Sequence, residues 1–172
     1  MFGLFKPKKA PEGPVEMGAE VEIDRSVEEV YALIDWADPR NAKRATGNDV
    51  REVPGKPDQF EMVMPFMDDL VFEFLVTDAV PHRKYAFSCV IKPSMGNLAH
   101  NHETYELEPL GENKCRLTLT CETTFVEGLR MAEFTQEVAT MAASVQSSLQ
   151  KFKLQAEHGA DVAKAVEENT LL

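Results

Sequence analysis

Residues 21–44, VEIDRSVEEVYALIDWADPRNAKR, change their hydrophobic period within a few residues. Ala19, Val21 and Ile23 alternate with Glu20, Glu22 and Asp24, the period of two that a half-buried strand requires. Ser26 followed three residues later by Glu29 is a capping box, and Val30, Leu33 and Ile34 then repeat at helical spacing until Asp38-Pro39 stops the run. Asp38 as N-cap and Pro39 at the first helical position predict a second short helix through Ala42 and Ala45, ended by Gly47. The opening is therefore strand, helix, helix.

Beyond it, from about residue 49 to 125, strand-like runs alternate with turn residues. Phe60, Met62 and Met64 share one face, as do Leu70, Phe72, Phe74 and Val76. Tyr85, Phe87, Cys89 and Ile91 follow a turn at Pro81-His82; Tyr105 and Leu107 precede Pro109. Gly111-Glu112-Asn113 predicts a hairpin turn into Leu117, Leu119, Cys121, Thr123 and Phe125. With the first strand and a short one near 49–53, this makes about seven strands in an antiparallel meander, enough to curl around something. After Gly128, residues Phe134, Val138, Met141, Val145, Leu149 and Phe152 recur with gaps of 4, 3, 4, 4 and 3, an amphipathic helix of about 28 residues ended by Gly159. At 1.5 Å per residue it spans roughly 40 Å, enough to lie across a curved sheet.

The chain of 172 residues is about one domain's worth, with no internal repeat. The expected division is a flexible N-terminal tail over 1–15, broken by Pro7, Pro11, Gly13 and Pro14; a domain over 16–158; and a frayed C-terminal appendix over 159–172. Eighteen Lys and Arg against 29 Asp and Glu give a formal net charge of −11, which repels phosphate backbones and argues against nucleic acid as a partner. Cys89, Cys115 and Cys121 form no CxxC pair and fit neither a disulfide framework nor a zinc module, so they are expected as reduced thiols in a cytoplasmic protein. The first residues lack the apolar run of a signal peptide, and nothing later approaches about 18 consecutive apolar residues. No integral membrane segment is expected. Phe2, Leu4, Phe5, Lys6, Lys8 and Lys9 allow at most a weak peripheral membrane contact by the tail.

A strand, two short helices, a six-strand meander and a long C-terminal helix is the element order of the helix-grip, or START-like, fold. VEIDRSVEEVYALIDWADPRNAKR resembles the opening of the SRPBCC group, which includes polyketide cyclase/dehydrase-like proteins, and TYELEPLGENKCRLTLTCETTF, residues 104–125, resembles its penultimate strand pair. The resemblance covers about residues 17–156. It implies an α+β architecture in which a curved antiparallel sheet of about seven strands wraps around the long C-terminal helix. It also implies a cavity between them that binds a hydrophobic or amphipathic small molecule. The motifs are hydrophobicity patterns more than fixed chemical residues, so they specify fold better than function.

The candidate cavity wall is the inward set Phe60, Met62, Met64, Phe72, Phe74, Tyr85, Phe87, Tyr105, Leu117 and Leu119, faced by Phe134, Val138, Met141, Val145 and Leu149. Its aromatic and Met-rich character suits an apolar ligand. The same residues serve equally as a packed core, and alternation does not distinguish the two; the resemblance favours a cavity. Tyr85, Tyr105, Glu103 and Arg130 are the polar groups that the pattern places near its mouth or wall, and none forms a recognisable catalytic constellation. His100 and His102 share one face of a strand while Glu103 takes the other, and no third ligand accompanies the pair, so no metal is expected. His82 reads as a turn residue and His158 as a helix-end donor; Cys89 and Cys121 read as small buried hydrophobes. No GxSxG, HExxH, P-loop or GxGxxG fingerprint is present, and no cofactor is implied. Three readings stand: a module binding a lipid, quinone or polyketide-like molecule; a polyketide cyclase/dehydrase-like enzyme using the same cavity; and a protein-interaction domain with that cavity filled.

Overall fold

The computed structural model describes residues 9–170, with side chains through residue 166. One seven-stranded antiparallel sheet carries the order β1-β7-β6-β5-β4-β3-β2. Its strands are β1 (Val15–Ile23), β2 (Asp49–Val53), β3 (Lys56–Met64), β4 (Met67–Val80), β5 (Lys84–Lys92), β6 (Leu98–Gly111) and β7 (Lys114–Phe125). From β2 to β7 each strand pairs with the next in sequence, and β1 closes on β7. Register shifts between Glu52 and Val53, Met62 and Met64, and Val76 and Asp78 add the local twist that bends the sheet. The hairpin turn predicted at Gly111-Glu112-Asn113 joins β6 to β7, and His82 stands in the β4–β5 turn at φ 62°.

The helices are α1 (Val27–Ile34), α2 (Ala42–Ala45), α3 (Met131–His158) and α4 (Ala160–Thr170). The capping box is formed: Ser26 Oγ accepts from Glu29 N while Ser26 N donates to the Glu29 carboxylate. The second cap differs from expectation. Asn41, not Asp38, caps α2, its Oδ1 accepting from Lys43 N (3.0 Å) and Arg44 N (3.4 Å). Asp38 instead closes a local turn by accepting from Arg40 N at 2.8 Å. Asn41 does more than cap, because its Nδ2 also donates to the carbonyls of Leu33, Ile34 and Asp35, tying the end of α1 to the start of α2. That satisfies a buried side chain in full, and it fixes the path of Trp36.

α3 rests mainly on β1 and touches β7, over one half of the sheet. Val145 and Leu149 join a core that includes Ile23, Leu117, Leu119 and Cys121, with Met17, Ala19 and Val21 of β1 against it. The half formed by β3, β4 and β5 has no comparable helical cover. Gly159 ends α3 with φ 92°, as the sequence suggests, but the chain does not fray there. Residues 160–170 form α4, which contacts α3 and buries Ala163. Of the apolar residues at helical spacing, Ala163 is buried while Val162 and Val166 remain exposed. At the other end, residues 1–8 of the expected tail lie outside the described residues; Ala10 N donates to Leu129 O at 3.1 Å, and Lys9 bridges to Arg130. On the exposed face Arg116 reaches Glu20, Glu22 and Glu108, and Lys114 reaches Glu22, so part of the acidic surface is locally paired. Among the described residues no helix is long and apolar enough to cross a membrane.

Candidate functional site

Because α3 covers only one half of the sheet, a cavity of about 400 Å³ remains between it, the α1–α2 segment and strands β3 to β6. Met62, Met64, Phe72, Phe74, Phe87, Cys89 and Ile91 form the sheet wall. Trp36 faces them from the α1–α2 connection, stacked on Phe74 with ring centroids 4.1 Å apart and planes 20° from parallel. Phe87 stands edge-on to both rings. Three interactions hold the connection in place: Trp36 N donates to the Tyr85 hydroxyl (3.2 Å), and the Arg44 guanidinium donates to the carbonyls of Trp36 and Val50. The cavity thus has a rigid aromatic wall.

Its polar end is built on β6. Alternation along the strand turns Asn101, Glu103 and Tyr105 inward together. Asn101 Nδ2 donates to Glu103 Oε1 at 2.9 Å, the Tyr105 hydroxyl donates to Glu103 Oε2 at 2.8 Å, and Thr123 Oγ1 on β7 donates to Asn101 Oδ1 at 2.7 Å. Asn101, Tyr105 and Thr123 are all buried, and Glu103 is half-buried where its carboxyl forms cavity wall. Desolvation pushes the Glu103 carboxyl above its ordinary range, against the lowering effect of the Tyr105 hydroxyl, Lys43 and Asn101. The Tyr105 phenol is driven well above its own range by burial and by the adjacent carboxyl. The thiols are inert at neutral pH, since burial pushes Cys89 and Cys121 up to about 12 and Cys115 to about 11.

Glu103 gives stability a testable pH dependence. The folded state holds this proton to higher pH than the unfolded chain, so between the two pKa values folding takes up a proton and stability falls as pH rises. The Glu103→Gln variant lacks that loss. Its stability relative to the parent should therefore increase from pH 4 toward pH 8 in urea unfolding; a flat difference would mean that Glu103 titrates as it does in the unfolded chain.

The sequence-derived wall is only partly brought together. Met62, Met64, Phe72, Phe74, Phe87, Tyr105 and Met141 line the cavity. Phe60, Tyr85, Leu117, Leu119, Val145 and Leu149 are buried in the solid core and do not line it. Phe134 lies against Phe125 near the start of α3, and Val138 is half-buried on the same stretch of helix, both outside the lining. Arg130 stands exposed at the N-terminus of α3, paired with Glu133, away from the cavity. The helical wall runs instead through Met141, Ser144, Ser148, Lys151, Phe152 and Gln155, and α4 adds Ala163. Ser144, Ser148 and Lys151 also edge an outer groove along α3. The His pair stays out of it: His102 Nε2 lies 3.0 Å from Thr77 Oγ1, and the described residues contain no group of three His, Cys, Asp or Glu placed to hold a metal ion.

Solved structures share this architecture at low sequence identity. The di-domain ARO/CYC BexL from the BE-7585A biosynthetic pathway superposes with a TM-score of 0.62 at 15% identity, over 86% of this chain and 46% of BexL. DynU16, from the dynemicin biosynthetic locus, gives 0.61 at 17%, over 84% of this chain and 48% of DynU16. A START superfamily protein from Mycobacterium smegmatis gives 0.53 at 12%, over 89% and 99%. The fold is the helix-grip fold. It is shared with these structures, the START superfamily protein from Mycobacterium smegmatis among them. This chain spans about half the length of BexL and DynU16. No protein-family model and no curated protein sequence matches it.

Proposed function

We propose that this chain binds one amphipathic small molecule, of lipid, quinone or polyketide-like character, between the sheet and α3. The observation that carries the reading is a cavity of about 400 Å³ with an aromatic and Met-rich wall at one side and a hydrogen-bonded carboxyl at the other. Ligand pockets of this kind are mostly apolar with a few placed polar groups, and about 300 Å³ is already a usable volume. Removing about 200 Å² of apolar ligand surface from water is worth about 5 kcal/mol before the costs of association.

Native mass spectrometry of the freshly purified protein, followed by organic extraction, tests this directly. A defined apolar ligand near one per chain is the expected result. A bare mass, together with failure to take up any added aromatic or aliphatic ligand, would overturn it in favour of a protein-interaction domain.

A second reading, an enzyme using the same cavity, is favoured by Glu103 alone. A carboxyl held above its ordinary range inside an apolar cavity, with the Tyr105 hydroxyl at 2.8 Å, is a candidate general acid or base. In that case Glu103→Gln abolishes turnover of the extracted ligand while ligand binding and thermal stability persist.

A further inference from the structure

The polar end of the cavity constrains the chemistry of whatever enters it, and this step rests on the binding reading above. Glu103 has about four acceptor sites on its two oxygens when ionised. The protein fills two of them, through Asn101 Nδ2 at 2.9 Å and the Tyr105 hydroxyl at 2.8 Å. Asn101 has no further freedom to adapt, because its Oδ1 is taken by Thr123 Oγ1 at 2.7 Å. The remaining capacity of Glu103 faces the cavity that it lines. A ligand end that meets it must complement either an ionised carboxylate, which only accepts, or a protonated carboxyl, which also donates.

Few groups do both. A methyl or methylene end leaves the remaining sites unpaired in a water-poor pocket. A carbonyl or ether oxygen only accepts and answers only the protonated form. A carboxylate end only accepts, so it answers the protonated form alone and meets a like charge when Glu103 is ionised, with Lys43 and Lys151 the cations that line the same cavity. A hydroxyl donates to the carboxylate, or accepts from the acid and then gives its own proton to the Tyr105 oxygen, whose hydrogen is already committed to Glu103. We propose that Glu103, set by Asn101 and Tyr105, is the specificity-determining anchor for the hydroxyl of an alcohol or phenol whose apolar body lies against Trp36, Phe74 and Phe87. The ligand enters hydroxyl first, and an acid of the same shape, which complements only one form of Glu103, binds less tightly.

Three probes of nearly equal shape separate this from the binding reading: 2-naphthol, 2-methylnaphthalene and 2-naphthoate, each titrated by calorimetry into the full chain and into Glu103→Leu and Glu103→Gln. The parent should bind 2-naphthol at least tenfold more tightly than 2-methylnaphthalene and more tightly than 2-naphthoate. Glu103→Leu, whose fold is checked by its melting curve, should lose or invert the preference for the hydroxyl while still taking 2-methylnaphthalene. Glu103→Gln, whose amide both donates and accepts, should keep it. Equal binding of 2-naphthol and 2-methylnaphthalene by the parent would overturn the anchor and leave the cavity reading intact. An undiminished preference in a folded Glu103→Leu would do the same. Binding of none of the three would overturn both.

Discussion

Phe74→Asp is expected to leave the chain unfolded or aggregated at room temperature. Phe74 is 6% exposed, stacks on Trp36 at 4.1 Å and meets Phe87 edge-on at 5.5 Å, so its ring joins β4 and β5 to the α1–α2 connection. Truncating a buried Phe costs about 3–5 kcal/mol, and an unpaired carboxylate among aromatic rings adds to that. A domain of this size is stable by only about 5–15 kcal/mol. A thermal melt by circular dichroism, with gel filtration to detect aggregates, measures the outcome. A melting curve like the parent's would show that β4 presents its other face to the cavity.

The second large effect separates two neighbouring positions on α3. Leu149 is fully buried in the core against the β1 half of the sheet, and Leu149→Ala should cost about 2–5 kcal/mol in urea unfolding. Ser148, one residue earlier, lines the cavity and is half-buried. Ser148→Trp should fill part of that space with little change in Tm while reducing uptake of 2-naphthol at least tenfold. The two variants thus have opposite signatures, one losing stability with ligand uptake intact below its melting point, the other losing uptake. If Ser148→Trp destabilises as much as Leu149→Ala, there is no room beside that helix face and the cavity is closed in solution.

That pair of residues also shows where sequence reading succeeds and where it stops. Period-two runs and a 28-residue helical stripe are imposed by burial on one face, so seven strands and α3 were legible from hydrophobicity alone. The same logic reached Met141 in the helical wall and passed over its polar neighbours. Val145 and Leu149 are apolar because they seal α3 onto the sheet, whereas Ser144, Ser148, Lys151 and Gln155, which border the cavity, look like a solvent face in the sequence. A cavity open at one side tolerates polar residues that a closed core rejects, and periodicity averages over that difference. Trp36 escaped for another reason: it lies in an irregular connection with no period, and the Asn41, Arg44 and Tyr85 hydrogen bonds of the folded state bring it to the wall. Glu103 was legible as an inward group by its opposition to His100 and His102, and Asn101 and Tyr105 share its face of β6 by alternation, but the tie of Thr123 to Asn101 required the strand register of β6 and β7. Residues 160–170, expected to fray because so short a segment is marginal as an isolated helix, form α4 in contact with α3, a contact that local sequence does not encode.

Trp36 is the only tryptophan in the chain, and it stands in the cavity wall. Its emission therefore has a single origin, uncontaminated by any other indole, and that origin is the surface an occupant must touch. The protein carries its own optical gauge of occupancy, so that an aliphatic alcohol, itself dark in the ultraviolet, could be titrated by emission colour and intensity without a label.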